Sequence, residues 1–496
     1  MNINSAKQYI KDTVSLYLKK DEFGEYRIPV QRQRPIFMIG APGIGKTAIM
    51  EQIAQELSVG LVAYSMTHHT RQSALGLPFI KHQEYDGQQV DVTEYTMSEI
   101  ISSIYEVMEN SGIKEGILFL DEINCVSETL APSMLQFLQY KVFGKHSVPE
   151  GWVIVTAGNP PQYNKSVREF DIVTLDRLKV LDVEADYQTF KTYAGINQIH
   201  SAILTYLELK PEHFYYMETT VNGKHYVTAR GWEDLSQILQ LYEESGLPVN
   251  EDLVSQYLRS DKIVKEFTAY YDLYQKYKQD YKVEDILAGE PTEEAIHKAS
   301  VAPFDERLSL LGMLLDKIQS EIKEVMQQAD YLSALKPILQ ACMKLSSKEE
   351  IEAYITKQIT AKQNYMKSMS AAQALSADMK YQTKSVIAFL EMAVKTITVK
   401  EDYMTALRAL FTGKVGEMQD RTKAVSKRLH NLFVFTERAF KDGNEMLILV
   451  TELTVNTESA KFIATFGSED YRKYNDELMI TERQNQYLQE IEALEL

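Results

Sequence analysis

At 496 residues the chain exceeds one ordinary hydrophobic core and predicts roughly two to four structural units. Its 53 lysines and arginines stand against 70 aspartates and glutamates, and the net charge of −17 disfavours a surface that grips nucleic acid or anionic lipid. The only cysteines, Cys125 and Cys342, lack metal-ligand spacing, and no stretch approaches the ~20 apolar residues of a membrane span; with no signal-like start, the expectation is a cytoplasmic protein without disulfides.

In chain order, Ile10, Val14, Tyr17 and Leu18 fall at helical spacing in a lead-in of residues 1–34, followed by a polar turn over Asp21, Glu22, Phe23 and Gly24. Ile28, Pro29 and Val30 come next, placed either to wall an adenine base or simply to pack. The apolar run Pro35 to Ile39 then predicts a strand, and Ala48 to Leu57 a helix. Between them lie Gly40, Ala41, Pro42, Gly43, Ile44, Gly45, Lys46 and Thr47. Glycines there let backbone N–H groups close around a triphosphate, Lys46 reaches its terminal phosphates, and Thr47 offers a hydroxyl to Mg²⁺. These residues, with Ala48 opening the helix behind them, form the expected nucleotide-binding set.

A second buried strand is predicted over Leu61 to Ser65, followed by a polar segment from Met66 to Arg71. Its adjacent His68 and His69 point to opposite sides of an extended chain and have no third ligand nearby, so the segment reads as a loop touching substrate or a neighbouring subunit. Leu77 to Ile80 and Val90 to Val92 flank Asp86-Gly87 as a β-hairpin, and a helix spans Met97 to Asn110. Gly116 to Leu120 is a wholly apolar strand ending in Asp121 and Glu122, which puts two carboxylates at the edge of a parallel sheet where the phosphate loop also opens. Asp121 suits a Mg²⁺ shell, and Glu122 suits a water to be polarised for attack.

A helix from Glu128 to Tyr140 leads to a smaller hairpin over Lys141 to Lys145, and the strand Trp152 to Ala157 ends in Gly158, Asn159, Pro160 and Pro161. Asn159 is either an amide that bonds γ-phosphate and lytic water or an ordinary turn asparagine.

Taken together, Gly40 to Thr47, Leu118 to Asn124, Ala157 to Pro160 and Leu175 to Leu178 resemble MoxR-type AAA+ ATPases in order and spacing, over roughly residues 30 to 245. The two hairpins are similar to the helix-2 insert and pre-sensor-1 hairpin of that clade. The resemblance makes Lys46 and Thr47 the Walker A residues, Asp121 and Glu122 Walker B, and Asn159 sensor 1. It makes Arg177 the arginine finger for a neighbour's ATP, with Arg168 its competitor. Arg230, in Thr228 to Trp232 after the Asn222-Gly223 turn, becomes sensor 2 unless it is an ordinary helix-start arginine. It further implies ATP and Mg²⁺ as cofactors, hydrolysis to ADP and phosphate, a ring oligomer of hexameric type, and chaperone-like remodelling beside a partner with a von Willebrand factor A domain. Cys125 stands where many relatives have arginine, and Tyr163 to Glu169 replaces an acidic, proline-rich segment, so this is a diverged branch. The same motifs admit a second reading, a nucleic-acid-linked AAA+ ATPase such as a restriction or helicase-loading subunit, which the acidic charge opposes.

Beyond about residue 245 the chain reads as helical. Phe267 to Tyr274 is aromatic and charged at helical spacing, Ala288 to Pro291 breaks the pattern, and Leu308, Leu311, Leu315, Ile318 and Ile322 make an apolar stripe. Further helices are expected around 349–380, 383–412 and 415–441. The expected fold is an α/β P-loop NTPase of AAA+ type with a five-stranded parallel sheet, a small helical lid and an all-α C-terminal region. Its expected divisions are a lead-in over 1–34, the nucleotide-binding core with two β-hairpin inserts over 35–186, the lid and following helices over 187–287, and a docking region over 288–496.

Overall fold

Five of the apolar segments pair into one parallel sheet in the computed structural model, which describes residues 1–68, 72, 74, 76–85, 88–164, 167–220, 223–345, 347–399, 402–441 and 443–477. The chain forms two compact units, one of residues 1–186 with 357–383, the other of 187–356 with 384–496. Residues on both sides of position 288 thus share the second unit, and a short piece of the helical region returns to the first.

In the first unit the strands are β1 (Ile36–Gly40), β2 (Gly60–Ser65), β3 (Pro78–Tyr85), β4 (Gln88–Tyr95), β5 (Gly116–Asp121), β6 (Val142–Phe143), β7 (His146–Ser147), β8 (Trp152–Gly158) and β9 (Lys179–Val183). The large sheet runs β2-β5-β8-β1-β9. Its register sets Ser65 beside Asp121, Leu120 beside Thr156, and Ile39 beside Gly158, so the loop-bearing ends of four strands finish at one edge. The two predicted hairpins form as antiparallel pairs, β3 with β4 and β6 with β7; the turn residues Asp86 and Gly87 lie outside the described residues.

The unit's helices are α1 (Ile3–Tyr17), α2 (Lys46–Leu57), α3 (Glu99–Ser111), α4 (Ala131–Tyr140) and the single turn α5 (Ile172–Leu175). Alternate strand residues Phe37, Val62, Leu118, Leu120 and Ile154 pack in one cluster with Ile100, Ile101 and Ile104 of α3 and Met134, Phe137 and Leu138 of α4. The helix starts are set locally: the Ser98 hydroxyl caps α3 by accepting from the Ile101 N–H at 3.2 Å. Two glycines at the sheet's base answer to one tryptophan. A Cβ on Gly116 would lie 2.6 Å from the Trp152 ring, and one on Gly60 3.1 Å from it, so the buried indole dictates both.

Strand β2 is an outer strand of the sheet. The segment between helices Lys348–Ala371 and Ala377–Val399 lies on it: Leu61 N–H donates to Ala372 O at 2.9 Å, and the Ser368 hydroxyl to Ser111 O. Met369, Ala372 and Ala374 are buried there, against Val107 and Ile113.

Among its described residues the second unit is helical apart from an antiparallel hairpin, Tyr216–Thr220 with Gly223–Val227, in which Asn222 lies outside the described residues. The predicted stripe is buried throughout, and Leu311, Leu315, Ile318 and Ile322 join Leu429, Leu432, Phe433 and Phe462 in one core. Two long helices, Phe304–Cys342 and Tyr403–Phe440, carry most of it. The expected break near 413 is absent, since Tyr403–Phe440 continues through Gly413 and Gly416. Each glycine costs a helix only about 1 kcal/mol, less than the burial its apolar face gains. Conversely, the expected helix over 349–380 stops at Ala371, where the chain turns onto β2.

Candidate functional site

The strand–loop–helix reading predicts a backbone cradle, and the loop adopts one. Gly43 and Gly45 take left-handed conformations, with φ of 74° and 95°, and Gly45 caps α2. Gly40 ends β1 against β9, where a Cβ would meet Val183 O at 2.7 Å. Lys46, only 8 % exposed, donates to Gly40 O at 2.7 Å, Ala41 O at 2.8 Å and Asn159 Oδ1 at 2.9 Å. The loop lysine and the amide at the end of β8 therefore meet directly, although 113 positions separate them.

Thr47 Oγ1 donates to Asp121 Oδ2 at 2.9 Å. Two hard oxygens at this spacing match a pair of neighbouring ligands on Mg²⁺, because ligands ~2.05 Å from an octahedral ion stand about 2.9 Å apart. Thr47 and Asp121 thus fit the cation that the sequence implies. Among the described residues no group of three or more His, Cys, Asp or Glu side chains could hold a metal.

Glu122 follows Asp121 in a left-handed conformation, φ 55° and ψ 35°, and its N–H donates to Asp121 Oδ1 at 2.9 Å. A non-glycine residue held there costs on the order of 1–2 kcal/mol, which the surrounding contacts must offset. Glu122 Oε2 accepts from Ser65 Oγ at 3.0 Å and Thr67 Oγ1 at 3.1 Å. Sequence reasoning gave neither hydroxyl a role beside Glu122, since Thr67 was read only as part of a loop that touches substrate or a neighbouring subunit. The signal was the pairing of β2 with β5, which puts Ser65 beside Asp121, but strand order cannot be read from a single strand.

Asn124 was also given no role of its own. It is buried, and its Nδ2 donates to Asn159 O at 2.8 Å, tying the end of β5 to the end of β8. Gly158 makes the room, since a Cβ there would sit 2.5 Å from Asn124 Oδ1. Cys125 Sγ accepts from Asn164 Nδ2 at 3.5 Å. Burial pushes the Cys125 thiol up, and the charges of Glu122 and Asp121 add to the shift, so it stays protonated beside the acids.

The structure thus brings Lys46, Thr47, Asp121, Glu122 and Asn159 together. Arg177 stands apart from them, exposed after α5 with Nη1 donating to Gln139 Oε1 at 2.5 Å, and Arg168 pairs with Glu128 at 2.5 Å. Arg230 belongs to the second unit, exposed in the first turn of the helix Ala229–Ser245, whose N-cap Thr228 accepts from Gly231 N–H at 3.2 Å. Val30, one of the three residues before β1, has its carbonyl bonded by the buried Lys141 ammonium. His69, Thr70 and Arg71, and Lys165 with Ser166, lie outside the described residues.

No helix among the described residues is long and apolar enough to cross a membrane. No curated protein matches the chain. Residues 36–175, which hold every member of the cluster, match the model of the ATPase family associated with various cellular activities (AAA), and this supports an AAA+ ATPase.

Proposed function

We propose that the chain is an ATP-hydrolysing AAA+ motor of MoxR type: a chaperone-like remodeller that works in the cytoplasm as a hexameric ring on a protein client, beside a partner with a von Willebrand factor A domain. The observation that carries the reading is the convergence of Lys46 with Asn159 and of Thr47 with Asp121 and Glu122 at one sheet edge. A bare phosphate-binding loop needs only the first part of this set, whereas turnover needs a carboxylate placed to polarise water.

The loop amides and Lys46 bind the triphosphate, and Lys46 exchanges its carbonyl partners for phosphate oxygens. Thr47 and Asp121 would hold Mg²⁺, which when bound would neutralise charge developing on the phosphates. Glu122 orients the attacking water and takes up its proton, and Asn159 fixes the position of the γ-phosphate. Arg177 serves a neighbouring subunit's ATP, a role that its exposure supports. An arginine supplied in trans is worth about 10³- to 10⁵-fold in related phosphoryl transfers, so the isolated subunit is nearly idle. Loss of γ-phosphate contacts at Asn159, Arg177 and Arg230 turns the lid and drives the client.

The test is ATP turnover against protein concentration for wild type, Glu122→Gln and Arg177→Ala, followed by mixing the two inactive variants. Steep concentration dependence, two inactive variants and partial recovery on mixing are expected. Turnover per subunit that stays flat on dilution and survives Arg177→Ala removes the ring, and stimulation by DNA moves the reading to a nucleic-acid-linked ATPase.

A further inference from the structure

A line of polar side chains leaves Lys46 and ends on the loop that follows β8. Lys46 donates to Asn159 Oδ1 at 2.9 Å, and Asn159 O accepts from Asn124 Nδ2 at 2.8 Å. On the other side of the Asn124 amide, Oδ1 faces Cys125 Sγ at 4.0 Å, and Cys125 Sγ accepts from Asn164 Nδ2 at 3.5 Å. The members agree in sense: Asn164 donates to the sulfur, the thiol proton points at Asn124 Oδ1, and Asn124 Nδ2 is left for the Asn159 carbonyl. The two ends of an amide are nearly equal in size, so its neighbours decide which way round it lies.

The loop itself is stiff between Asn159 and Asn164. Pro160 and Pro161 fix two φ angles, and Tyr163 N–H closes a turn on Pro160 O at 3.2 Å. Further along, Arg168 N–H donates to Asn124 O at 2.9 Å, and the Phe170 ring packs on Phe37 of β1 with centroids 5.1 Å apart. A displacement at Asn164 is therefore passed back through the prolines to Asn159.

We propose that Cys125 and Asn164 are positioning residues for Asn159. This rests on the ATPase reading, in which Asn159 fixes the γ-phosphate. Cys125 keeps the Asn124 amide turned so that its donor end meets the Asn159 carbonyl, and Asn164 holds the loop onto the turn Ile123–Cys125. Asn159 is thereby fixed twice, through its own carbonyl and through the prolines that follow it. Nucleotide affinity rests on the phosphate loop and Lys46, which this line leaves in place. Alignment of the γ-phosphate for attack rests on Asn159, so the pair acts on turnover and not on binding. Both residues act through Asn159 and neither is catalytic.

The full chain is assayed for steady-state ATP turnover with Mg²⁺ and for affinity by titration with a fluorescent ATP analogue. Cys125→Ala removes both the acceptor for Asn164 and the donor facing Asn124. It is expected to lower kcat about 3- to 10-fold, the scale of one modest hydrogen bond, with the Kd of the analogue within about twofold of wild type. Cys125→Ser keeps a donor and an acceptor and recovers most of the lost turnover. Asn164→Ala breaks the line from its other end and gives a loss of similar size. Because both residues act through one contact, the double variant loses no more than the worse single one. A role confined to supporting the fold would instead lower the denaturation midpoint, and with it turnover and analogue binding together. Wild-type kcat in Cys125→Ala, losses that multiply in the double variant, or parallel losses of kcat and affinity overturn the positioning role while the ATPase reading stands. A wild-type chain that turns over no ATP overturns both.

Discussion

Thr47 Oγ1 lies 2.9 Å from Asp121 Oδ2, joining the first turn of α2 to the end of β5. Because this matches the edge of an octahedral Mg²⁺ shell, the pair predicts how nucleotide affinity depends on the cation. Thr47→Val deletes one of the two oxygens at nearly constant volume. In titrations with a fluorescent ATP analogue, Mg²⁺ tightens binding to the wild type and is expected to lose roughly 10- to 100-fold of that effect in the variant, the scale on which single groups at metal sites act. An unchanged ratio of affinities with and without Mg²⁺ removes Thr47 from the cation site.

Gly158 and Asn124 give a second prediction, in which geometry rather than charge is disturbed. The new methyl of Gly158→Ala would lie 2.5 Å from Asn124 Oδ1, so the amide must move and surrender its bond to Asn159 O. Overpacking of this kind costs about 1–3 kcal/mol, and here it also misplaces Asn159. Turnover is expected to fall at least about tenfold while affinity for ATP stays close to wild type, since the loop and Lys46 are untouched. Equal losses in both would mean that the substitution damages the fold and not the placement of Asn159.

How much of this was legible depends on whether a feature is local. The phosphate loop, the strand ending in Asp121 and Glu122, both first-unit hairpins and the stripe from Leu308 to Ile322 could be read because each is written in consecutive or periodic residues. Ser65, Thr67 and Asn124 could not be assigned, since their partners come from other strands and only strand order brings them near. Segment 357–383 joins the first unit through a few small and apolar side chains, among them Met369, Ala372 and Ala374, and such residues read equally well as the inside of a helical bundle. The helix through Gly413 and Gly416 was obscured for the opposite reason, a local signal outweighed by packing along the rest of the helix.

Lys141 predicts a pH effect. It is 3 % exposed, takes a left-handed backbone with φ of 58° at the end of α4, and bonds the Val30 carbonyl. Burial pushes its ammonium down from 10.5 to about 8. Between these values the unfolded chain binds more protons than the folded one, so stability rises with pH across that window. The penalty is present in full below about 8 and gone above 10.5. It amounts to at most about 3 kcal/mol at neutral pH. Lys141→Met is expected to raise the denaturation midpoint at pH 7 and to flatten its rise towards pH 10 (roughly the upper half of the window). A wild-type midpoint that is level or falls between pH 8 and 10, about the span of the titration, would show that Lys141 is not buried as a charge.

Glu122 supplies a prediction in which stability and function separate. Its φ of 55° is costly for any residue with a Cβ, yet its carboxylate accepts from Ser65 and Thr67. Comparing Glu122→Ala with Glu122→Gly isolates the backbone, because both delete the carboxylate and both leave the hydroxyls unpaired. At an ordinary position glycine is the less stable of such a pair by roughly 0.5–1 kcal/mol. Here the order is expected to reverse, with the glycine variant more stable by about 1 kcal/mol and both inactive in turnover. The measurement is the denaturant midpoint of the first unit in each variant. An alanine variant at least as stable as the glycine one would mean that the left-handed geometry at Glu122 depends on its side-chain bonds and relaxes without them. A reversed order would mean that the surrounding loop imposes the geometry, holding the carboxylate at the sheet edge beside Asp121 before any nucleotide arrives.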